Sequence, residues 1–296
     1  METLSTAFKD VIKQVIFLSK AAAVVTEENV YQEGDTAILP FLDKIVETLI
    51  LPGSGMSGME NLIDLYQKAE SGKSCLLFLE HYSNLDLSLF SYLLRQESEI
   101  GKVIANSVVA IAGIKLSEEN STVAAFTTAY SRLVIYPSRS LLGLDAVKDR
   151  AEIVRSNGIN RAAMKTLLKL KAGGKLILVF PSGTRYRPWD PDTKKGVREI
   201  DSYIKSFDYM CPVAINGEAL HVRQGDMMED SVSNDVIRLT AGPVYSCTEF
   251  RDKARLDAEA AGIEDKKQFT VDVVMKLLDD MHGKAETERE KLLKTL

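Results

Sequence analysis

Apolar positions recur along the chain with two periods, and each period predicts one kind of element. Helical spacing over about Thr6 to Val25, Asp35 to Leu51 and Met59 to Ser71 predicts N-terminal helices. Pro40 falls in the first turn of the second helix, where the missing N–H costs little. These patterns predict a small helical unit over residues 1–72.

After residue 72, short apolar runs with β character alternate with amphipathic helical stretches. This alternation predicts an α/β domain over residues 73–296, with a mixed, largely parallel sheet flanked by helices. We predict strands near 75–80, 103–110, 133–136, 175–180 and 211–215, a β pair around Val236 to Cys247, helices at 86–96, 120–131 and 159–172, and two amphipathic helices after Asp265. The charged run Glu286 to Lys294 is expected to be a solvated helix face.

Composition narrows the class of protein. A chain of 296 residues with 45% hydrophobic content can bury a large core, as one domain or two unequal ones. A net charge of −5 argues against nucleic acid as a partner. The widely spaced Cys75, Cys211 and Cys247 predict free buried thiols in a reducing compartment, without a disulfide framework.

No stretch reaches the roughly 18 apolar residues that span a bilayer. The run Val103 to Ile114 contains Asn106 and Ser107. The acidic N-terminus, with Glu2 and Asp10, is unlike a secretory signal or a transit peptide. We therefore expect a soluble protein in the cytoplasm, or in an organelle stroma if a targeting segment has been removed, and peripheral membrane contact stays open.

The first candidate for chemistry is the pair His81 and Asp86, which directly follows a buried-looking strand. Asp86 is expected at the start of the next helix, where free amides and the helix dipole favour a carboxylate. From there it can accept one imidazole N–H, so that the other nitrogen takes a proton from a substrate hydroxyl. The pair therefore predicts a general base and the group that orients it.

A second polar cluster, Phe180 to Pro188, also follows an apolar strand. It reads Phe-Pro-Ser-Gly-Thr-Arg-Tyr-Arg-Pro. In open α/β sheets, ligands bind outside the carboxyl ends of the strands. Both clusters are therefore expected to face one crevice.

At these two clusters the chain resembles the glycerolipid acyltransferases, which acylate glycerol-3-phosphate or its monoacyl product. His81 to Asp86 is similar to the family's His-x4-Asp block, and Phe180 to Arg185 to its Phe-Pro-Glu-Gly-Thr-Arg block, with Ser182 where many members have Glu. Weaker similar blocks are Leu133 to Arg139 and the strand Cys211 to Ile215. The resemblance covers roughly residues 74–222 and is strongest to the soluble, plastid-type glycerol-3-phosphate acyltransferases.

The resemblance implies acyl transfer from a thioester to the hydroxyl of glycerol-3-phosphate, giving lysophosphatidate for phospholipid synthesis. His81 would remove the hydroxyl proton, and Asp86 would orient the imidazole. Backbone amides around Ser182, Gly183 and Thr184 would donate to the tetrahedral oxyanion. The reaction needs no cofactor or metal, and the acyl donor is either acyl carrier protein or coenzyme A.

The substrate phosphate is assigned to the arginines Arg185 and Arg187, because guanidinium forks match phosphate oxygens. Ser182 and Arg139 are assigned to the same group. In the family, a Gly and a Phe precede the arginine that corresponds to Arg139, and both are missing here. The arginines have alternative partners in two nearby carboxylates, Asp190 and Asp192.

Other functions stay open at this stage. The acceptor can be 1-acylglycerol-3-phosphate, as in the other branch of the family. A non-catalytic lipid or carrier-protein binder is a further alternative, because Glu80 replaces the Asn that commonly precedes the family's histidine. A carboxylate beside His81 would favour the protonated imidazole, which is no base.

Gly53 to Gly58 fits G-x-G-x-x-G, which raises a nucleotide-binding alternative. Against it, Ile38 to Leu51 keeps helical periodicity and Pro52 precedes the first glycine. We therefore expect a glycine-rich connection between helices. His221 and His282 lack partners at ligand spacing, so loop or surface positions are expected for them.

Overall fold

The computed structural model describes residues 1–19, 24–118, 121–225 and 227–294. They form an α/β fold in which helices pack on both faces of one large sheet. The sheet is mixed and largely parallel, which confirms the predicted fold class.

The helices in the described ranges are α1 (Leu4–Ala7), α2 (Lys9–Leu18), α3 (Leu39–Leu49), α4 (Met59–Glu70), α5 (Asp86–Glu97), α6 (Glu99–Ser107), α7 (Lys115–Glu118), α8 (Ser121–Thr127), α9 (Arg150–Ala172), α10 (Ile200–Ser206), α11 (Cys247–Ala260) and α12 (Lys266–Leu293). The strands are β1 (Tyr31–Gln32), β2 (Gly55–Ser57), β3 (Cys75–Leu79), β4 (Val108–Gly113), β5 (Arg132–Ile135), β6 (Leu176–Val179), β7 (Tyr209–Asn216), β8 (Leu220–His221), β9 (Ser231–Val232), β10 (Arg238–Ala241) and β11 (Tyr245–Ser246). Short 3-10 turns lie at Ser138–Leu141, Pro191–Lys194 and Met227–Glu229.

Within the described residues the main sheet has nine strands, in the order β1-β5-β4-β6-β3-β7-β10-β2, with β11 also paired to β7. The central strands β5, β4, β6, β3 and β7 are parallel to one another. β1, β10 and β11 run antiparallel to their neighbours β5 and β7. The carboxyl ends of β3 and β6 therefore lie side by side at one edge of the sheet.

Two cores cover the two faces. One packs α3, α4 and α5 against the sheet, and the other packs α9, α10 and α12. Alternate side chains of β3 enter each core, Leu77 and Leu79 on one face and Leu76 and Phe78 on the other. Burial on both faces explains why this strand reads as a continuous apolar run.

The predicted strand 103–110 is wrong over its first half, because α6 continues to Ser107 and β4 begins at Val108. The Ser98 side chain caps α6 by accepting a hydrogen bond from the Gly101 amide. Gly101 also lies against the Leu94 carbonyl, where a side chain would clash. The helix at 159–172 is confirmed, but it begins earlier, at Arg150.

The C-terminal prediction needs three corrections. Of the described helices, α12 alone follows Asp265, whereas α11 precedes it. The strands β10 and β11 each pair with β7 and not with each other. The run Glu286 to Lys294 is not simply solvated, because Arg289 is buried and donates to the Asp235 carboxylate and to the Val236 carbonyl.

The N-terminal segment contains α1 to α4, as well as the strands β1 and β2 that join opposite ends of the sheet order. The predicted first helix is split at Phe8, and its stretch over residues 20–23 lies outside the described residues, as does residue 120 of the predicted helix 120–131. The boundary at residue 72 stays a prediction.

Cys75, Cys211 and Cys247 are buried free thiols, as predicted. Burial raises the pKa of each thiol to about 12. Among the described residues, no helix combines the length and the apolar character that crossing a membrane requires.

Candidate active site

His81 and Asp86 meet in the turn between β3 and α5. The Nδ1 atom of His81 lies 2.9 Å from Oδ2 of Asp86. Asp86 is the first residue of α5, where the helix dipole favours its negative charge. The structure therefore brings together the two residues that the sequence paired.

The Asp86 carboxylate is buried and held from several sides. Its Oδ2 accepts hydrogen bonds from the backbone amides of Tyr82 at 2.6 Å and Ser83 at 2.9 Å. Its Oδ1 accepts from the Ser83 hydroxyl at 2.8 Å. A carboxylate with these donors accepts the Nδ1–H of His81, which leaves Nε2 as the basic nitrogen.

The second cluster closes over the histidine. The Phe180 ring stacks on the His81 ring, with centroids 4.0 Å apart and planes 21° apart. The Tyr186 amide donates to the His81 carbonyl at 2.8 Å. Both clusters therefore form one site, as their positions after β3 and β6 predict.

The turn after Pro181 holds the candidate oxyanion donors. Gly183 has a φ of +63°, a conformation that favours glycine, and its amide donates to the Phe180 carbonyl at 2.9 Å. The Ser182 hydroxyl donates to the Thr184 carbonyl at 2.7 Å. Within the described chain the Thr184 amide has no hydrogen-bond partner. The Ser182 amide likewise donates to no described residue, so these two of the predicted donors keep a hydrogen to give.

Arg185 is held by a partner that the sequence did not indicate. Its Nη1 lies 2.8 Å from Oδ2 of Asp230, a fully buried carboxylate. The nearby Asp190 and Asp192, which were the expected alternatives, do not pair with it. Arg185 therefore has a structural contact, and its role in phosphate binding stays a prediction.

Arg139 and Arg187 form a pair of like charges beside the Gly183 turn. Arg139 donates to the Gly183 carbonyl. Partial burial lowers the pKa of Arg139, and the positive charge of Arg187 lowers it further, while Glu199 acts in the opposite direction. The Arg187 side chain makes no hydrogen bond or ion pair with any described residue. Two adjacent guanidinium groups with spare donors favour an anion.

A cavity of about 540 Å³ opens on this site. His81, Arg139 and Gly183 line one part of it. Most of the remaining wall is apolar, including Ile111, Ala112, Phe126, Leu133, Ile135 and Leu167. Its volume lies within the usual range for small-molecule sites. Sequence reasoning missed this cavity, because its wall is built by residues that lie far apart in the chain.

The Glu80 carboxylate contacts groups on β7, on α12 and in the turn that follows β3. It accepts the Ile215 amide at 2.8 Å and the Tyr82 hydroxyl at 2.9 Å, and an effect of the Glu80 charge on His81 stays a prediction. The carboxylate also lies 3.0 Å from Nδ1 of His282 on α12. Glu80 is buried, so this network ties the end of β3 to β7 and to α12.

The network shifts the titration of its members. Burial lowers the pKa of His282, but the hydrogen bond and charge of Glu80 outweigh burial, so the net pKa is raised. Burial and the charge of Glu80 raise the pKa of Tyr82. The expectation of a loop or surface position for His282 is therefore wrong, since it is a half-buried helix residue with a carboxylate partner.

The glycine run Gly53 to Gly58 lacks the geometry of a dinucleotide site. The element before it is the helix α3, whereas such a site needs a strand there. β2 lies within the run, so the expected plain connection is in part an edge strand. At Gly58, with a φ of +77°, a side chain would collide with the Ala241 carbonyl. Close packing explains this glycine.

His221 lies on β8 and contacts the Ser233 hydroxyl at 2.7 Å and the Glu218 carboxylate at 3.1 Å. In the ranges that the structure describes, no group of three or more His, Cys, Asp or Glu side chains is arranged to hold a metal ion. Comparison of the chain with models of protein families and with curated proteins finds no match.

Proposed function

We propose that this protein transfers an acyl group from an acyl thioester to the hydroxyl of glycerol-3-phosphate. The observation that carries the proposal is the apolar cavity that opens directly on His81. An aliphatic chain buried there would place its thioester carbonyl beside the imidazole. A general base at the mouth of an apolar cavity suits transfer of a long acyl group.

The acceptor is assigned from Arg139, which lines the cavity, and from Arg187, whose charge acts on Arg139. Arg139 and Arg187 have donors to spare, and a phosphate monoester offers the oxygens to accept them. With its phosphate held there, glycerol-3-phosphate would present a hydroxyl to His81. Arg185 keeps its predicted place in phosphate binding, through the donors that Asp230 does not use.

In the proposed step, Nε2 of His81 takes the hydroxyl proton while the oxygen attacks the thioester carbonyl. The Thr184 amide stabilises the oxyanion. The tetrahedral intermediate then breaks its C–S bond, and the leaving thiolate takes the proton from the imidazolium. No covalent enzyme intermediate is formed, and Asp86 holds the imidazole throughout.

The test is a direct assay with purified protein. Glycerol-3-phosphate and lysophosphatidate are offered separately, each with acyl carrier protein and coenzyme A thioesters, and acylated products are measured. We expect transfer to glycerol-3-phosphate, and we expect His81→Ala to lower its rate by about 10²- to 10⁴-fold. Transfer to lysophosphatidate alone would replace the acceptor, and no transfer with any donor at any pH would favour a lipid or carrier-protein binder.

A further inference from the structure

Arg132, on β5, is a buried cation without a partner. Its side chain is 3% exposed, and its guanidinium makes no hydrogen bond or ion pair with any described residue. A buried charge that nothing compensates costs free energy, and arginine is rarely buried unpaired. An unmet guanidinium inside a protein therefore points to a ligand that supplies the missing negative charge.

The charge persists at neutral pH. Burial lowers the pKa of Arg132 to about 10, and no neighbouring charge contributes to this shift. The side chain is therefore still protonated near pH 7. A neutral apolar group of the same size would fill this position at lower cost.

Arg132 lines the same cavity as His81, but at a distance from it. Across the sheet, Arg132 on β5 pairs with Ala110 on β4, which pairs with Leu178 on β6, which pairs with Leu77 on β3. Arg132 is therefore level with Leu77, four residues before His81 along the strand direction. This corresponds to about 13 Å along the strands and about 14 Å across them. The cavity thus has a base at one end and an unpaired cation far from it.

Arg132 also lines a second, polar pocket, together with residues 32–36 and Thr128. Two of these residues are acidic, Glu33 and Asp35, and neither forms an ion pair with Arg132. Their negative charge disfavours an anion approaching through that pocket. The apolar cavity is therefore the favoured route to the guanidinium.

We infer that Arg132 binds the carboxylate of a long aliphatic chain that lies in the cavity. The apolar wall requires an aliphatic chain, and the guanidinium fork matches a carboxylate. Two sources share this chemistry. One is a free fatty acid that enters the cavity with its carboxylate first. The other is an acyl thioester that carries a carboxylate at the end of the chain opposite the thioester. Only this second source rests on the proposed function.

The test compares binding of palmitate, hexadecanedioate and hexadecanol by calorimetry. In the wild type, a bound acid should gain about 10- to 150-fold in affinity from the charge-assisted contact. Arg132→Met keeps the apolar stem and should lose this gain, while its hexadecanol affinity stays unchanged. Arg132→Lys should keep part of it. The matched control is Arg161→Met, an exposed arginine on α9 outside the cavity, which should bind as the wild type does.

The two sources give different patterns. Weaker palmitate binding by Arg132→Met shows the carboxylate inward, whereas an effect on hexadecanedioate alone shows recognition of the far end of the chain. Equal binding of both acids by wild type and Arg132→Met overturns the inference. Since none of these measurements needs turnover, a failure to detect acyl transfer would not produce that result.

The ligand-free protein offers a second readout. Because removing an unpaired buried charge relieves its desolvation, Arg132→Met should melt at a higher temperature than the wild type. Arg161→Met should leave the melting temperature unchanged. A lower melting temperature for Arg132→Met would mean that the guanidinium is satisfied within the protein, contrary to the inference.

Discussion

His81 lines the cavity, and the hydrogen bond between its Nδ1 and Asp86 leaves Nε2 as the basic atom. His81→Ala should therefore lower turnover by about 10² to 10⁴, the usual worth of general-base catalysis. The KM for glycerol-3-phosphate should change little, since its phosphate is held elsewhere. Steady-state kinetics of the purified variant measure both.

A matched control exists in His221, a partly buried histidine that does not line the cavity. His221→Ala should keep turnover. Activity of His81→Ala within tenfold of the wild type would remove His81 from the mechanism.

The three arginines of the site separate into two kinds. Arg139→Ala and Arg187→Ala should each raise the KM for glycerol-3-phosphate by about 10- to 150-fold, because charge-assisted hydrogen bonds are lost. Arg185→Ala should in addition lower the free energy of unfolding by about 3–5 kcal/mol, because Asp230 loses its buried ion-pair partner.

Kinetics together with urea denaturation distinguish these effects. Lysine at position 139 or 187 should restore part of the affinity, because it keeps the charge without the fork. If the KM of the thioester rises while that of glycerol-3-phosphate is unchanged, Arg139 and Arg187 serve the acyl donor.

Among the elements, those with local signals were predicted well. β3 and α5 follow from an apolar run and a helical pattern, and the contact between His81 and Asp86 spans five residues. The start of α6 also had a local signal, the Ser98 cap, which the apolar residues after it obscured. The partners of Glu80 and Arg185 had none, because His282 and Asp230 come from distant parts of the chain.

The contact between Glu80 and α12 predicts a pH dependence of stability. Because Glu80 raises the pKa of His282 in the folded protein, the protonated form is stabilising. The contribution of protonated His282 to the free energy of unfolding is fully present below pH 6.5, the pKa of histidine in the unfolded chain. It is lost as the pH rises through the raised pKa of His282 in the folded protein. Urea denaturation of the wild type and of His282→Gln should therefore differ most at mildly acidic pH.

Glu80→Gln provides the matched control, because glutamine can still accept from the Ile215 amide but has no charge. Its stability should lack the same pH-dependent contribution. Equal gaps between wild type and His282→Gln at acidic and alkaline pH would contradict the assignment.

On the scale of the whole molecule, the cavity draws its wall from both faces of the sheet. Ala112 lies in this wall and is 6% exposed. Ala112→Leu should fill part of the cavity, so that the KM rises for long-chain thioesters and stays unchanged for short-chain ones. Assays across a series of chain lengths measure this, and a uniform loss for all donors would indicate damage to the fold.

The pairing of β2 with β10 joins an early part of the chain to a late one, with Met56 opposite Leu239. During synthesis, β2 leaves the ribosome long before the strand that completes its side of the sheet. Its backbone groups have no strand partner until Arg238 to Ala241 emerge. A nascent chain stalled before Arg238 would therefore lack the strand that pairs with both β2 and β7, and the backbone groups of both strands would stay open to chaperones.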